Sequence, residues 1–214
     1  METNNKSKSI LIITTLVCLL PIILSLSMYD RLPDQVAVHW DIAGNPDNFM
    51  PKAVAAFVLP VSMAVLNLVV YVLISLDPKR NNAAPVLRMI AHWAIAALSV
   101  VIMPITLFKA TGADIRIETV VPALVGVLIL VIGNYLPKSK QNYTIGIKLP
   151  WTLHSEDNWN KTHRFAGYLW MVGGLLMVIL AFLNTQAFWG MIIMILVLVA
   201  APTIYSLSLY KKGV

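Results

Sequence analysis

The chain has 214 residues, of which 58% are hydrophobic and only 12% charged, and its mean hydropathy is +0.77. A soluble domain carries about 25% charged residues, so this composition excludes disorder, a nucleic-acid-binding domain and an ordinary cytosolic enzyme. The net charge of +6 and the pI near 9.5 then read as basic loops beside anionic lipid, with no direct nucleic-acid binding expected.

A helix needs about 20 apolar residues to cross the hydrocarbon layer. Residues 9–29, 53–76, 89–108 and 119–137 are uncharged for 21, 24, 20 and 19 residues, and 165–210 for 46. The last block is too long for one span, and its polar cluster Asn184-Thr185-Gln186 divides it into two. The expectation is an all-α integral membrane protein of six transmembrane helices. With the N-terminus inside, the cytoplasmic segments hold twelve Lys and Arg and the outer segments hold Arg31, Lys52, Lys109 and Arg116, so both termini are expected in the cytoplasm. The first block exceeds a signal-peptide core and lacks a small-residue cleavage site, so it is expected to be retained. Pro21, Pro60, Pro104, Pro122 and Pro202 fall within spans and free backbone carbonyls for neighbouring groups. Gly126 and Gly133, seven apart, suggest one close helix contact. Cys18, alone in the chain, reads as a buried apolar residue.

Two connections are more than linkers. In the first, residues 30–52, Val36, Val38 and Trp40 alternate with Gln35, His39 and Asp41, a strand pattern. Gly44, Asn45, Pro46 and Asp47 follow with turn chemistry, and a second strand around Phe49 would complete a short extracellular β-hairpin. Four aspartates give this loop an acidic face attractive to a cationic peptide. His39 beside Asp34, Asp41 and Asp47 offers one nitrogen ligand and no second His or Cys, so no metal is expected.

The second is the fourth connection, 138–164, which mixes Tyr143, Trp151 and Trp159 with Lys148, Lys161, His163 and Arg164. This composition suits an aromatic belt at the headgroups. Thr152 or Ser155 can cap a helix with Glu156 and Asp157 in its first turn, giving an interfacial helix that leads into the fifth span. No span has a central Asp, Glu, Lys or Arg, which argues against an ion-coupled transporter. A small transporter remains an alternative. So does a membrane-embedded enzyme using His39 with Asp41, or His163 with Arg164.

Leu32-Pro33, His39-Trp40, Gly44, Pro46-Asp47 and Lys52 resemble the DUF1648 motif that follows a first membrane helix. Asn142, Gly146-Ile147-Lys148, Pro150-Trp151-Thr152-Leu153, Trp159, Lys161-Thr162-His163-Arg164 and Gly167 resemble the second motif of the SdpI/YfhL family. Lys148 and Leu149 depart from the family's usual Arg-Thr; lysine keeps the charge and loses the bidentate fork.

The resemblance implies a bacterial cell-membrane immunity or receptor protein, not an enzyme and without a cofactor. It would protect against a secreted membrane-active toxin peptide and hold an ArsR-class repressor at the cytoplasmic face. The expected ligand surface is His39, Trp40, Asp41, Gly44, Pro46, Asp47 and Lys52; the expected inner motif is Asn142, Gly146, Lys148, Pro150, Trp151, Trp159, Lys161, His163 and Arg164. Regions of 1–76, 77–137 and 138–214 follow from the two motifs.

Overall fold

The computed structural model describes residues 2–41, 44–183 and 188–214. Among them, six helices are long and apolar enough to cross a membrane: Lys8–Arg31, Val54–Leu76, Pro85–Ala110, Ile117–Lys138, Glu156–Phe182 and Gly190–Lys211. Large apolar side chains such as Ile23, Leu76 and Phe182 stand 67%, 72% and 69% exposed on these helices. Such surfaces are tolerable against lipid and not in water, and the chain is a multi-pass membrane protein. The polar break expected at Asn184, Thr185 and Gln186 lies outside the described residues; the flanking helices end at Phe182 and begin at Phe188.

The chain forms two compact units. The first comprises residues 1–73 and 90–117. It opens with α1 (Glu2–Leu19) and α2 (Pro21–Met28), which share one span and break at Leu20, before the proline that cannot donate to the helix ladder. In the turn before the break, the Cys18 carbonyl accepts the Ser99 hydroxyl at 2.8 Å. A turn of 3-10 helix (Tyr29–Arg31) leads into β1 (Gln35–Trp40) and β2 (Pro46–Pro51), an antiparallel pair. A π-helical turn (Val54–Val58) then precedes α3 (Leu59–Leu76), and α4 (Pro85–Ala110) returns. Cys18, Ala64 and Ala96 pack together, and small residues of this kind let helix backbones approach in lipid. Asn67 Nδ2 donates to Thr14 Oγ1 and Thr15 Oγ1 at 3.0 and 3.1 Å, a polar link worth about 0.6 kcal/mol in a membrane.

The second unit comprises 74–89 and 118–214. It contains most of α5 (Ile117–Tyr135), the one-turn α6 (Pro150–His154), α7 (Glu156–Phe182) and α8 (Phe188–Lys211). The glycine contact read from Gly126 and Gly133 is present, and its other half is α7. A Cβ at Gly126 would lie 2.8 Å from the Gly174 carbonyl, and one at Gly133 2.9 Å from that of Gly167. Trp170 Nε1 donates to the Leu198 carbonyl at 2.8 Å and ties α7 to α8.

The helix expected to start after Thr152 or Ser155 is capped by Ser155 Oγ, which accepts the Asn158 N–H at 3.2 Å, and it runs without interruption into the fifth span as one helix of 27 residues. The first span breaks beside Pro21, one of the prolines that the sequence places within spans.

Candidate functional site

The hairpin of the first connection is a folded element. Val36 and Leu32 are buried with Ala55, Ala56 and Leu107, and Val38 packs on this cluster, so one face of β1 is pinned to the helix ends. Val36 stands opposite Met50 and Ala37 opposite Phe49, with register shifts after Ala37 and after His39. Lys52 closes the base: its N–H donates to the Asp34 carbonyl at 2.9 Å, its Nζ lies 3.2 Å from the Asp34 carboxylate, and it sits 5.4 Å from the Tyr29 ring centre.

At the turn, Gly44 has φ +82, a value that a Cβ makes costly. Asp41 accepts the Asn45 N–H at 2.8 Å and the Asn45 amide at 3.2 Å, so this carboxylate shapes the turn. His39 Nδ1 faces Asp47 Oδ1 at 2.5 Å, with side chains 68% and 45% exposed. The histidine is thus set against Asp47 across the hairpin, while Asp41 serves Asn45. Trp40 is half-buried and Pro46 exposed. Among the described residues no three His, Cys, Asp or Glu side chains cluster as a metal site would require.

The fourth connection is held by side chains that cap main-chain groups. Asn142 Oδ1 accepts the N–H groups of Thr144 and Ile145 at 3.1 and 2.7 Å, and its Nδ2 donates to the Lys140 and Ile145 carbonyls at 2.9 Å each. Gln141 Nε2 donates to the Thr152 and Leu153 carbonyls at 3.0 Å each, and its Oε1 accepts Lys79 Nζ at 3.1 Å. Thr152 Oγ1 accepts the Leu149 N–H and donates to the Ile147 carbonyl, both at 2.8 Å. Pro150 opens α6 at a position where no N–H is needed.

Asp77 binds this connection to the segment after α3. Its carboxylate accepts the Lys79 N–H at 2.7 Å, the Tyr143 N–H at 3.0 Å and the Thr144 hydroxyl at 2.7 Å. Burial pushes the Asp77 pKa up, but these hydrogen bonds to the ionised form outweigh it and hold the carboxyl below the usual carboxylate range.

Trp159 and His163 correct the belt expectation, because both are fully buried. Trp159 Nε1 donates to the Ser139 carbonyl at 2.7 Å, and its ring stacks on His163 with centroids 3.9 Å apart. His163 Nδ1 lies 2.8 Å from the Trp159 carbonyl, which can only accept, and Nε2 lies 3.0 Å from the Ile147 N–H, which can only donate. The imidazole is therefore the neutral Nδ1–H tautomer with both nitrogens engaged, and it has no lone pair for acid–base work. Gly146 (φ +133) lies over this stack, where a Cβ would meet His163 Nε2 at 2.5 Å.

The remaining motif residues face outward. Lys148 and Arg164 are exposed, and Lys161 pairs with Asp157 at 2.7 Å one helical turn away. Trp151 is half-buried and stacks on Tyr210 at 6.0 Å. The inner motif thus divides into a buried set (Asn142, Trp159, His163, with Gly146 over them) and an exposed basic set (Lys148, Lys161, Arg164). Asp77 and Gln141 carry no motif signal in the sequence, while Thr152, expected as a helix cap, lies inside α6 and accepts the Leu149 N–H from there. An Asp-Pro pair closing an apolar run carries only a turn signal.

Residues 138–206 match the SdpI/YfhL protein family, and residues 16–64 match a domain of unknown function, DUF1648. The chain is 28% identical over 203 residues to Immunity protein SdpI of Bacillus subtilis (strain 168), covering 94% of this chain and 96% of that protein. No solved structure matches it.

Proposed function

Because the chain belongs to the SdpI/YfhL family, we propose that it is an immunity protein of the bacterial cytoplasmic membrane, with both termini in the cytoplasm, that protects its cell by binding a membrane-active toxin peptide. The observation that carries this reading is the end-to-end likeness to an immunity protein, which spans both motif-bearing connections. The hairpin is the ligand surface, formed by His39, Trp40, Asp41, Gly44, Pro46, Asp47 and Lys52. Within that surface Asp41, Gly44 and Lys52 hold the shape, and His39, Trp40, Pro46 and Asp47 meet the ligand. The fourth connection is the cytoplasmic half. Lys148, Lys161 and Arg164 offer charge to lipid phosphate or to an acidic patch on an ArsR-class repressor, over a base fixed by Asn142, Gly146, Pro150, Trp151, Trp159 and His163. The division of labour is recognition in 1–76 and reporting in 138–214, joined by 77–137.

Toxin bound on one side shifts the other only through different affinities for two states of the protein. A non-enzymatic role is supported by His163, whose ring nitrogens are both engaged.

The test is expression in a sensitive bacterium challenged with the toxin peptide. Survival with the wild-type chain, and its loss with Asp47→Ala at equal protein level, is the expected result. No protection at a normal membrane level overturns the reading. For the reporting half, the repressor should co-sediment with membranes after toxin exposure. Charge reversal at both Lys161 and Arg164 should abolish that co-sedimentation while resistance is kept; unchanged recruitment would remove the repressor from the proposal.

A further inference from the structure

The hairpin has two unlike edges. The Lys52 N–H to Asp34 carbonyl bond marks residues 34 and 52 as a hydrogen-bonded pair, and in the same register Val36 and Met50 are the next. The pairs between them, Gln35 with Pro51 and Ala37 with Phe49, are non-hydrogen-bonded, so their main-chain groups point away from the partner strand. On the β2 side that edge is blunted, because Pro51 has no N–H and Pro46 closes the other end. On the β1 side, Gln35 and Ala37 keep both donor and acceptor. Among the described residues no third strand lies beside β1, and no main-chain hydrogen bond outside the strand ladder uses either residue. The register shifts after Ala37 confine the open edge to residues 34–37.

We infer that this edge takes an extended, cationic, apolar peptide segment as a third strand, read through its main chain along Gln35 and Ala37. The flanking chemistry fits that occupant. Residues 30–52 carry four aspartates against Arg31 and Lys52, in a chain whose net charge is +6, and the Asp34 side chain at the edge is 93% exposed. Across the strand from Ala37, Phe49 is 49% exposed and offers an aromatic surface to one set of the incoming side chains. The alternate set lies beside Val36, whose face continues into the apolar cluster at the helix ends. Recognition of this kind draws affinity from main-chain hydrogen bonds and tolerates sequence change in the peptide. Only the natural identity of the peptide rests on the immunity reading; the edge itself does not.

The probe is a fluorescent peptide of alternating lysine and valine, titrated against the protein in nanodiscs of neutral phosphatidylcholine. A second version carries N-methyl groups on alternate residues, with the same charge and side chains. The N-methylated peptide should bind at least about tenfold more weakly, as expected for two lost main-chain hydrogen bonds. Ala37→Pro should weaken the unmodified peptide similarly, since proline removes an N–H that β2 does not use. Equal binding of the two peptides by the wild-type protein overturns the inference and needs no variant to fold. A dimer abolished by Ala37→Pro, without peptide binding, also overturns it, by showing that a second copy of the chain fills the edge. Methylation-sensitive binding in a protein that fails the toxin challenge would remove the immunity reading alone. Protection accompanied by methylation-insensitive binding would remove strand addition alone.

Discussion

At Gly146 a left-handed backbone and a crowded site coincide. The φ of +133 strains any residue with a Cβ, and the space a Cβ would enter is taken by His163 Nε2 and the Trp159 ring. Gly146→Ala should therefore cost about 1–3 kcal/mol in backbone strain, beyond any loss of the Ile147 to His163 hydrogen bond. The check is the thermal midpoint of the purified protein in detergent, followed by tryptophan fluorescence. Asp77 gives a pH prediction. Its folded pKa lies below the unfolded value, so its contribution is complete above the unfolded value of about 4 and is lost as pH falls through the lower folded value. Hydrogen-exchange protection at Lys79 and Tyr143, whose N–H groups Asp77 accepts, should drop on acidification below about pH 4. Asp77→Asn should show reduced protection with little dependence on pH in that range. That role was illegible in the sequence because its partners lie 66 and 67 residues further along the chain. Asn142 and Gly146, by contrast, were named from a motif, and their positions rest on hydrogen bonds and φ values local to that motif.

The hairpin was legible at the level of the element, because β1 alternates apolar and polar residues and the turn residues have distinct backbone preferences. The register shifts were not, since they depend on which main-chain groups face one another. Gly44→Val should impair the turn, as a β-branched residue resists positive φ, and should lower toxin resistance more than it lowers protein level. The start of α7 was legible from Ser155 and the acidic first turn, but its buried face was not, for a physical reason. Its buried face runs Asn158, Trp159, Thr162, His163, Ala166 and Gly167, a helical stripe, but four of those six residues carry polar groups, so the stripe has no apolar signature. On the same helix, Gly167→Leu would drive a side chain into Pro137 and the Gly133 carbonyl, since even a Cβ would lie 2.5 Å from Pro137. Overpacking of this kind costs about 1–3 kcal/mol and should appear as reduced folded yield in a detergent extraction.

For the whole molecule, six spans were legible from the uncharged blocks because hydrocarbon thickness sets their length. Orientation rests on the basic asymmetry of the loops. Reporter fusions after Lys52, Arg80, Arg116, Lys140 and Lys212 should alternate outside, inside, outside, inside and inside, two spans separating the last pair. A C-terminus found outside would reverse the sidedness proposed for the hairpin and the fourth connection. The glycines between α5 and α7 bear on how this topology is assembled. Gly126 meets Gly174 and Gly133 meets Gly167, both pairs seven residues apart on antiparallel helices. Sliding α7 by two turns one way would leave Gly126 on Gly167 and set Gly133 against Asn160. Sliding it the other way would leave Gly133 on Gly174 and set Gly126 against Ala181. Either slip keeps one notch and obstructs the other, so the two helices work as a vernier with a single seating. The depth of α7 against α5 is thus fixed by the two notches together, as neither notch alone distinguishes one setting from the next.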